Sequence, residues 1–244
     1  MSAIKTQKLT KYYKDLCAVN SLDLEIKEGE LFSLLGVNGA GKTTTIKMLS
    51  CLSKASKGDA FILGSSILKD QLKVKEKISV SPQETAVAPN LSVSENLAFI
   101  CGVNGFSKEK TKHKVNETID HFNMTKIKDK KAKNLSGGWQ RRLSIAMALI
   151  SEPKILFLDE PTLGLDVIAR RELWKMIEEL KEKTTMILTT HYMEEAEALS
   201  DRIGIMAEGK LTAVGTSKEL IAETGAKNFE DAFISLATAG GSKQ

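Results

Sequence analysis

The sequence predicts an α/β fold: a mainly parallel sheet, with an antiparallel β subdomain at the N-terminus and a small helical subdomain in mid-chain. Three observations predict it. The apolar runs Ile155 to Leu158 and Met186 to Thr189 have the length and continuity of strands buried on both faces. Between them, Leu173, Ile177 and Leu180 recur at helical spacing in a segment running from about Val167 to Lys183. Strand, helix and strand in alternation give a parallel sheet with crossover helices. From Ile4 to Ser33, short alternating segments are broken by Lys14-Asp15, Asn20-Ser21 and Lys27-Glu28-Gly29. That pattern predicts antiparallel strands leading into a more buried one, Leu31 to Leu35.

The remaining elements follow in chain order. A helix is expected from Lys42 to Leu52, where Ile46, Leu49 and Leu52 share a face. Ser79 to Ser81 reads as a strand running into a loop at Pro82-Gln83. Residues 93–151 read as mainly helical. Their lysines, from Lys108 to Lys114 and from Lys126 to Lys133, suit a solvated face better than a contact with anionic lipid. After Gly138, Leu143, Ala146, Met147 and Ile150 form one stripe, and Pro153 ends the helix. The expected organisation is one domain over residues 1–236, a helical subdomain at about 90–151, and a disordered tail at 237–244 that includes Gly240-Gly241-Ser242.

Composition narrows the function classes. Of 244 residues, 42% are hydrophobic and 27% charged, the balance of a globular protein rather than a disordered one. The net charge of +4, from 35 basic and 31 acidic residues, is too small and dispersed to argue for nucleic-acid binding. No apolar stretch approaches the about 20 residues that cross a bilayer, and the N-terminus has no signal-peptide core. Cys17, Cys51 and Cys101 are scattered and odd in number, reading as reduced thiols without a metal site. A cytoplasmic protein without direct membrane insertion is expected, reaching any membrane through a partner.

The chemistry begins at Gly36. Gly36-Val37-Asn38-Gly39-Ala40-Gly41-Lys42-Thr43 fits G-x-x-x-x-G-K-[ST] between a predicted strand and a predicted helix, the phosphate loop of a P-loop NTPase. Its backbone N–H groups, continuing to Thr44, can ring phosphate oxygens at a helix N-terminus. Lys42 can reach the β- and γ-phosphates, and the Thr43 hydroxyl can ligate Mg²⁺. Asp159-Glu160 ends a buried strand, on the sheet edge where α/β folds bind ligands. Asp159 is expected to hold Mg²⁺, and Glu160 to polarise an attacking water; alone, such a pair could equally open a helix. His191, just past another strand, could meet the γ-phosphate or be structural.

Read together, these residues resemble the ATP-binding subunit of an ABC transporter. Leu135-Ser136-Gly137-Gly138 matches the family's signature loop, and the ordered series Tyr13, Gly36, Gln83, Ser136, Asp159-Glu160, Leu165-Asp166 and His191 spans nearly the whole chain. The resemblance implies ATP and Mg²⁺ as cofactors. Tyr13 is then the aromatic stacked on adenine, or else a buried strand tyrosine. Gln83 is the residue sensing Mg²⁺ and water in a loop that meets the membrane partner. Ser136, Gly137 and Gly138 meet the γ-phosphate held by a second subunit. Asp166 is a dimer contact or simply a helix cap, and His191 is the switch histidine. Glu160, His191, Gln83 and Lys42 form the implied catalytic group, with Thr43, Gln83 and Asp159 at the metal.

Two positions depart from the family pattern, Trp139 after the signature and Leu163 where serine is commoner. The stretch from His191 to Glu197 and the segment from Asn228 to Ile234 resemble the ABC-2 export branch. The implied protein is half of a homodimer that powers export through a separately encoded permease, held peripherally on the inner face of the cell membrane. The alternative is a non-transport ABC ATPase working on a ribosome or nucleic-acid complex. Such members usually carry paired domains, coiled coils or zinc cysteines.

Overall fold

The computed structural model describes residues 1–181 and 184–239. Strands β1 (Ser2–Tyr13), β2 (Leu16–Leu22) and β3 (Glu25–Lys27) precede β4 (Leu31–Leu35), and the glycine loop then enters α1 (Lys42–Leu49). β5 (Lys57–Ile62) and β6 (Ser65–Ser66) follow, with α2 (Gln71–Lys75) leading into β7 (Ile78–Ser81). Helices α3 (Val93–Val103), α4 (Lys108–His121) and α5 (Gly137–Leu149) come next, with two single 3-10 turns before α5. The chain returns through β8 (Ile155–Asp159), α6 (Val167–Leu180), β9 (Thr185–Thr190) and α7 (Met193–Leu199). It continues through β10 (Arg202–Ala207), β11 (Lys210–Gly215), α8 (Ser217–Thr224) and α9 (Phe229–Ala239).

Two sheets result. The antiparallel one has the order β2-β1-β5-β6, with β3 also on β1. The six-stranded one runs β11-β10-β4-β9-β8-β7, every neighbouring pair parallel except β10 and β11. Alternation along its strands shows why they read as continuous apolar runs. Phe32, Leu34, Phe157 and Ile187 pack with Ile46 of α1 and with Ile4 and Ile26 of the antiparallel sheet. Leu31, Leu156, Leu158 and Leu188 point the other way, to Leu97, Leu143 and Ile177 of α3, α5 and α6. Successive side chains take opposite faces, so a strand covered on both sides needs apolar residues throughout. Each fully buried Leu, Ile or Phe contributes roughly 1.5–3 kcal/mol.

Register sets the site. Leu35 lies beside Thr190, and Asp159 beside Thr189. The carboxyl ends of β4, β8 and β9 therefore finish together, bringing Gly36, Glu160 and His191 to one edge. Helix entry is coded locally: Ser92 and Glu95 form a capping box at α3, Ser107 caps α4, and Thr216 with Glu219 repeats the box at α8. Such caps contribute about 0.5–2 kcal/mol each.

Three boundaries differ from expectation. α1 stops at Leu49 rather than Leu52, because Cys51 takes a left-handed φ of 57° and leaves Leu52 exposed. α6 ends at Leu180, short of Lys183, and residues 182 and 183 lie outside those described. The last helix runs to Ala239, so residues 237–239 are helical rather than part of a disordered tail; Phe233, Leu236 and Ala237 pack against the core of Leu35, Ile203 and Leu220, which holds that turn. The rest of the expected tail, 240–244, lies outside the described residues. Lys108, Lys110, Lys112 and the lysines from 126 to 133 are exposed, as a solvated face requires. Among the described residues no helix is long and apolar enough to cross a membrane.

Candidate active site

A cavity of about 700 Å³ opens over the loop between β4 and α1. Its walls include Tyr13, the whole run from Asn38 to Thr44, Gln83, Glu160 and His191, residues that are far apart in sequence. Two glycines show why the loop has its sequence. Gly41 has φ +102°, and a Cβ there would stand 2.5 Å from the Ala18 carbonyl oxygen of β2. A Cβ on Gly36 would stand 2.4 Å from the Met206 carbonyl oxygen. Any side chain at either position would push the loop off the two sheets that shape it.

Lys42 is buried, its ammonium donating to the carbonyls of Gly36 at 2.7 Å and Val37 at 3.1 Å. It lies 3.6 Å from Glu160 Oε1. Burial lowers the Lys42 pKa from its ordinary value, opposed by the neighbouring charges of Glu160 and then Asp159. The lysine thus rests on a curled backbone and a carboxylate, in the place where phosphate oxygens would offer it better acceptors.

Thr43 Oγ1 donates to Asp159 Oδ1 at 2.9 Å, and Thr189 donates to the same oxygen. A hydroxyl and a carboxylate at that distance suit a hard cation such as Mg²⁺. Among the described residues no three His, Cys, Asp or Glu side chains converge to cage a metal. The ion would therefore take its remaining ligands from phosphates and water, as Mg²⁺ commonly does. Gln83 is exposed on the same cavity, and its carbonyl, with that of Pro82, accepts hydrogen bonds from the buried Arg141 guanidinium of α5.

Glu160 is buried just past β8 with φ at 45°, a left-handed backbone rarely taken by residues other than glycine. Its N–H donates to both the carbonyl and the hydroxyl of Thr189 at 3.1 Å, which holds that conformation. His191 Nδ1 stands 3.2 Å from Glu160 Oε2 but off the line of a hydrogen bond, and has no other partner.

The signature residues and Asp166 lie elsewhere. Ser136 and Gly138 line a separate small cavity with Trp139, Arg142 and Ala169, and Gly137 is exposed beside them. Asp166 caps α6, accepting the N–H groups of Ile168 and Ala169 at 2.9 Å. Tyr13 is 44% exposed at the cavity mouth, which removes the buried-tyrosine alternative. Thr189 and Arg141 are the residues that motif reading misses. Neither belongs to a short motif, and each acts on groups distant in sequence.

A P-loop on the carboxyl edge of a parallel sheet, with an acid pair at the end of β8, one strand beyond β9, defines a nucleoside-triphosphate-binding protein. The family model describing ABC transporters matches residues 19–163. The chain belongs to that family, as an ATP-binding cassette. It is 39% identical over 224 residues to the daunorubicin/doxorubicin resistance ATP-binding protein DrrA of Streptomyces peucetius, covering 91% of this chain and 68% of that one. It is 40% identical over 230 residues to the phospholipid-transporting ATPase ABCA3 of Homo sapiens, covering 93% of this chain but only 14% of that much longer one. A solved dimeric ATP-binding cassette in a post-hydrolysis state, bound to ADP and Pi, superposes with a TM-score of 0.79 at 26% identity, covering 87% of this chain and 98% of that one.

Leu16, Cys17 and Ala18 line the cavity with Tyr13, as do Glu208 and Gly209 of the turn after β10, and the Cys17 thiol is turned to the Val19 carbonyl. Stacking on an exposed ring is worth about 1–3 kcal/mol per base with little preference between bases. GTP is therefore expected to be hydrolysed within about tenfold of ATP, a gap of about 1.4 kcal/mol. Steady-state assays with both nucleotides check this, and a thousandfold preference would reveal a purine-edge contact.

Proposed function

We propose that this chain binds and hydrolyses Mg·ATP, pairs with a second copy around two nucleotides, and drives export through a separate membrane permease. The observation that carries the pairing is Ser136. It stands at the N-cap of α5 without capping it, its hydroxyl making no bond to its own helix. Ser92, Ser107, Asp166 and Thr216 all cap theirs. Ser136 and Gly137 are also exposed, on a different cavity from the phosphate loop of the same chain. A helix N-terminus with a free hydroxyl and uncovered N–H groups is ready for an anion from outside, here the γ-phosphate held by the partner copy.

In that pair, Tyr13 stacks on the base, and the loop from Gly36 through Thr44 wraps the phosphates. Thr43 and Asp159, with Gln83 nearby, would hold Mg²⁺, which when bound neutralises charge on the phosphate oxygens. Glu160 accepts a proton from the water that attacks the γ-phosphorus as its bond to the β–γ bridging oxygen breaks and ADP leaves, while Lys42 leaves the carbonyls of Gly36 and Val37 for phosphate oxygens. His191 meets the γ-phosphate across from Glu160. A groove of mixed polarity between β7 and the helical segment, lined by Ile78, Val80, Ile100 and Met147 but also by Lys75, Glu76, Ser79 and Asn104, lies beside the Gln83 loop, with Phe99 and Val103 exposed on α3. We assign the permease to this face; the drug-resistance relative supports the outward direction.

Trp139 offers the test, since it lines the cavity of Ser136 and lies 4.4 Å beneath the Arg142 guanidinium. In a Trp174→Phe, Glu160→Gln background, its emission should shift on adding Mg·ATP, more completely at high protein concentration. Adding Ser136→Arg should leave nucleotide binding intact and abolish the concentration dependence. A silent Trp139 in a chain that sedimentation shows to be dimeric would place the interface elsewhere. A chain that stays monomeric with Mg·ATP would overturn the pairing.

A further inference from the structure

Glu195 is a fully buried carboxyl that the proposed chemistry leaves unused. It sits on α7, 0% exposed, and its Oε1 accepts the indole N–H of Trp174 on α6 at 3.0 Å. Its Oε2 is buried with no well-formed hydrogen bond, and so is the hydroxyl of Thr162. Buried polar atoms without partners are rare in folded proteins, and each calls for an explanation.

The segments facing this carboxyl supply one. Thr162 lies in the turn directly after Glu160, where the Leu163 N–H donates to the Glu160 carbonyl at 3.2 Å. Thr190 is the last residue of β9, immediately before His191, and its hydroxyl accepts the Tyr192 N–H at 3.0 Å. Burial pushes the Glu195 carboxyl above its ordinary pKa, against smaller downward pulls from Thr190, Thr162, Trp174 and the charge of Arg170. In its protonated form the carboxyl can donate to one threonine oxygen while its other oxygen accepts from Trp174. The group thus spans α6, the turn after Glu160 and the strand end before His191.

We propose that Glu195 is a positioning residue for hydrolysis, keeping Glu160 and His191 in register through Thr162 and Thr190. This rests on the roles given to Glu160 and His191 above. Misplacement of reacting groups by about 1 Å can cost about a hundredfold in rate, so a polar tie between the two segments acts on kcat rather than on ATP binding.

Three variants test it against simple core filling. Glu195→Met keeps the volume and removes the polar group; it should lower kcat at least about tenfold and leave the KM for ATP within about threefold. Glu195→Gln can still accept from Trp174 and donate to a threonine, and should stay within about threefold of wild type. Thr162→Val should lower kcat about as much as Glu195→Met, and the double variant should be no slower than Glu195→Met alone, as expected of groups sharing one contact. Wild-type kcat in Glu195→Met, or a Glu195→Gln no faster than it, would overturn the proposal. If Glu195→Met does not fold, wild-type kcat in Thr162→Val overturns it instead. Glu160→Gln assayed alongside separates the two readings: hydrolysis surviving there removes the underlying site, whereas its loss beside an unimpaired Glu195→Met removes the positioning role alone.

Discussion

Glu160→Gln is expected to bind Mg·ATP at least as well as the wild type and to lose hydrolysis by about a hundredfold or more. The amide has the shape of the carboxylate but cannot take a proton from water, and losing a positioned base typically costs 10²–10⁴ in rate. Binding should not suffer, since the Lys42 ammonium, 3.6 Å from this carboxylate, loses a competitor to the phosphates. The variant should therefore accumulate as an ATP-loaded dimer, visible by size exclusion, while single-turnover assays show almost no phosphate release. Turnover at the wild-type rate would remove Glu160 from the chemistry.

Lys42→Ala should fail at the earlier step. Hydrogen bonds to charged groups are worth about 1.5–3 kcal/mol each, so losing the lysine's contacts to the phosphates should weaken ATP binding by about a hundredfold. The empty protein should also be less stable, because Glu160, 3.6 Å from the ammonium, would keep a buried charge without its cation. Calorimetric titration with Mg·ATP and a melting curve of the nucleotide-free protein check both effects. An unchanged Kd would mean that the ammonium stays on the carbonyls of Gly36 and Val37 when ATP binds.

The residues readable from sequence share a property: their role is local or their spacing is rigid. The loop from Gly36 to Thr44 carries its own backbone geometry, and Ile155 to Leu158 announces burial on both faces. The pattern weakens in β5, where Gly58 has a positive φ within a strand of mixed polarity, and in β11, whose residues before Gly215 are only half-buried or exposed. Partnerships across the sheet are harder still. Nothing near Arg141 reveals that it donates to the carbonyls of Pro82 and Gln83, nor does Thr189 stand out from the strand it ends. The run Glu194-Glu195-Ala196-Glu197 offers three glutamates, and only the packing of α7 buries the middle one. Distances between segments remote in sequence decide these contacts, and residue type does not encode them.

The position of β4 bears on how the protein is made. It lies inside its sheet between β10 and β9, both supplied by much later parts of the chain. The antiparallel sheet, in contrast, has all its strands by Ser66. On the ribosome the phosphate loop therefore emerges long before the strand that carries it has a neighbour on either side, and long-range pairings of this kind form slowly. During that interval Phe32 and Leu34 lack part of their cover, and Asp159, once it emerges with β8, has no β9 to hold it against the Thr43 hydroxyl. A nascent chain halted before β9 holds the entire phosphate loop without the sheet edge that makes it a nucleotide site.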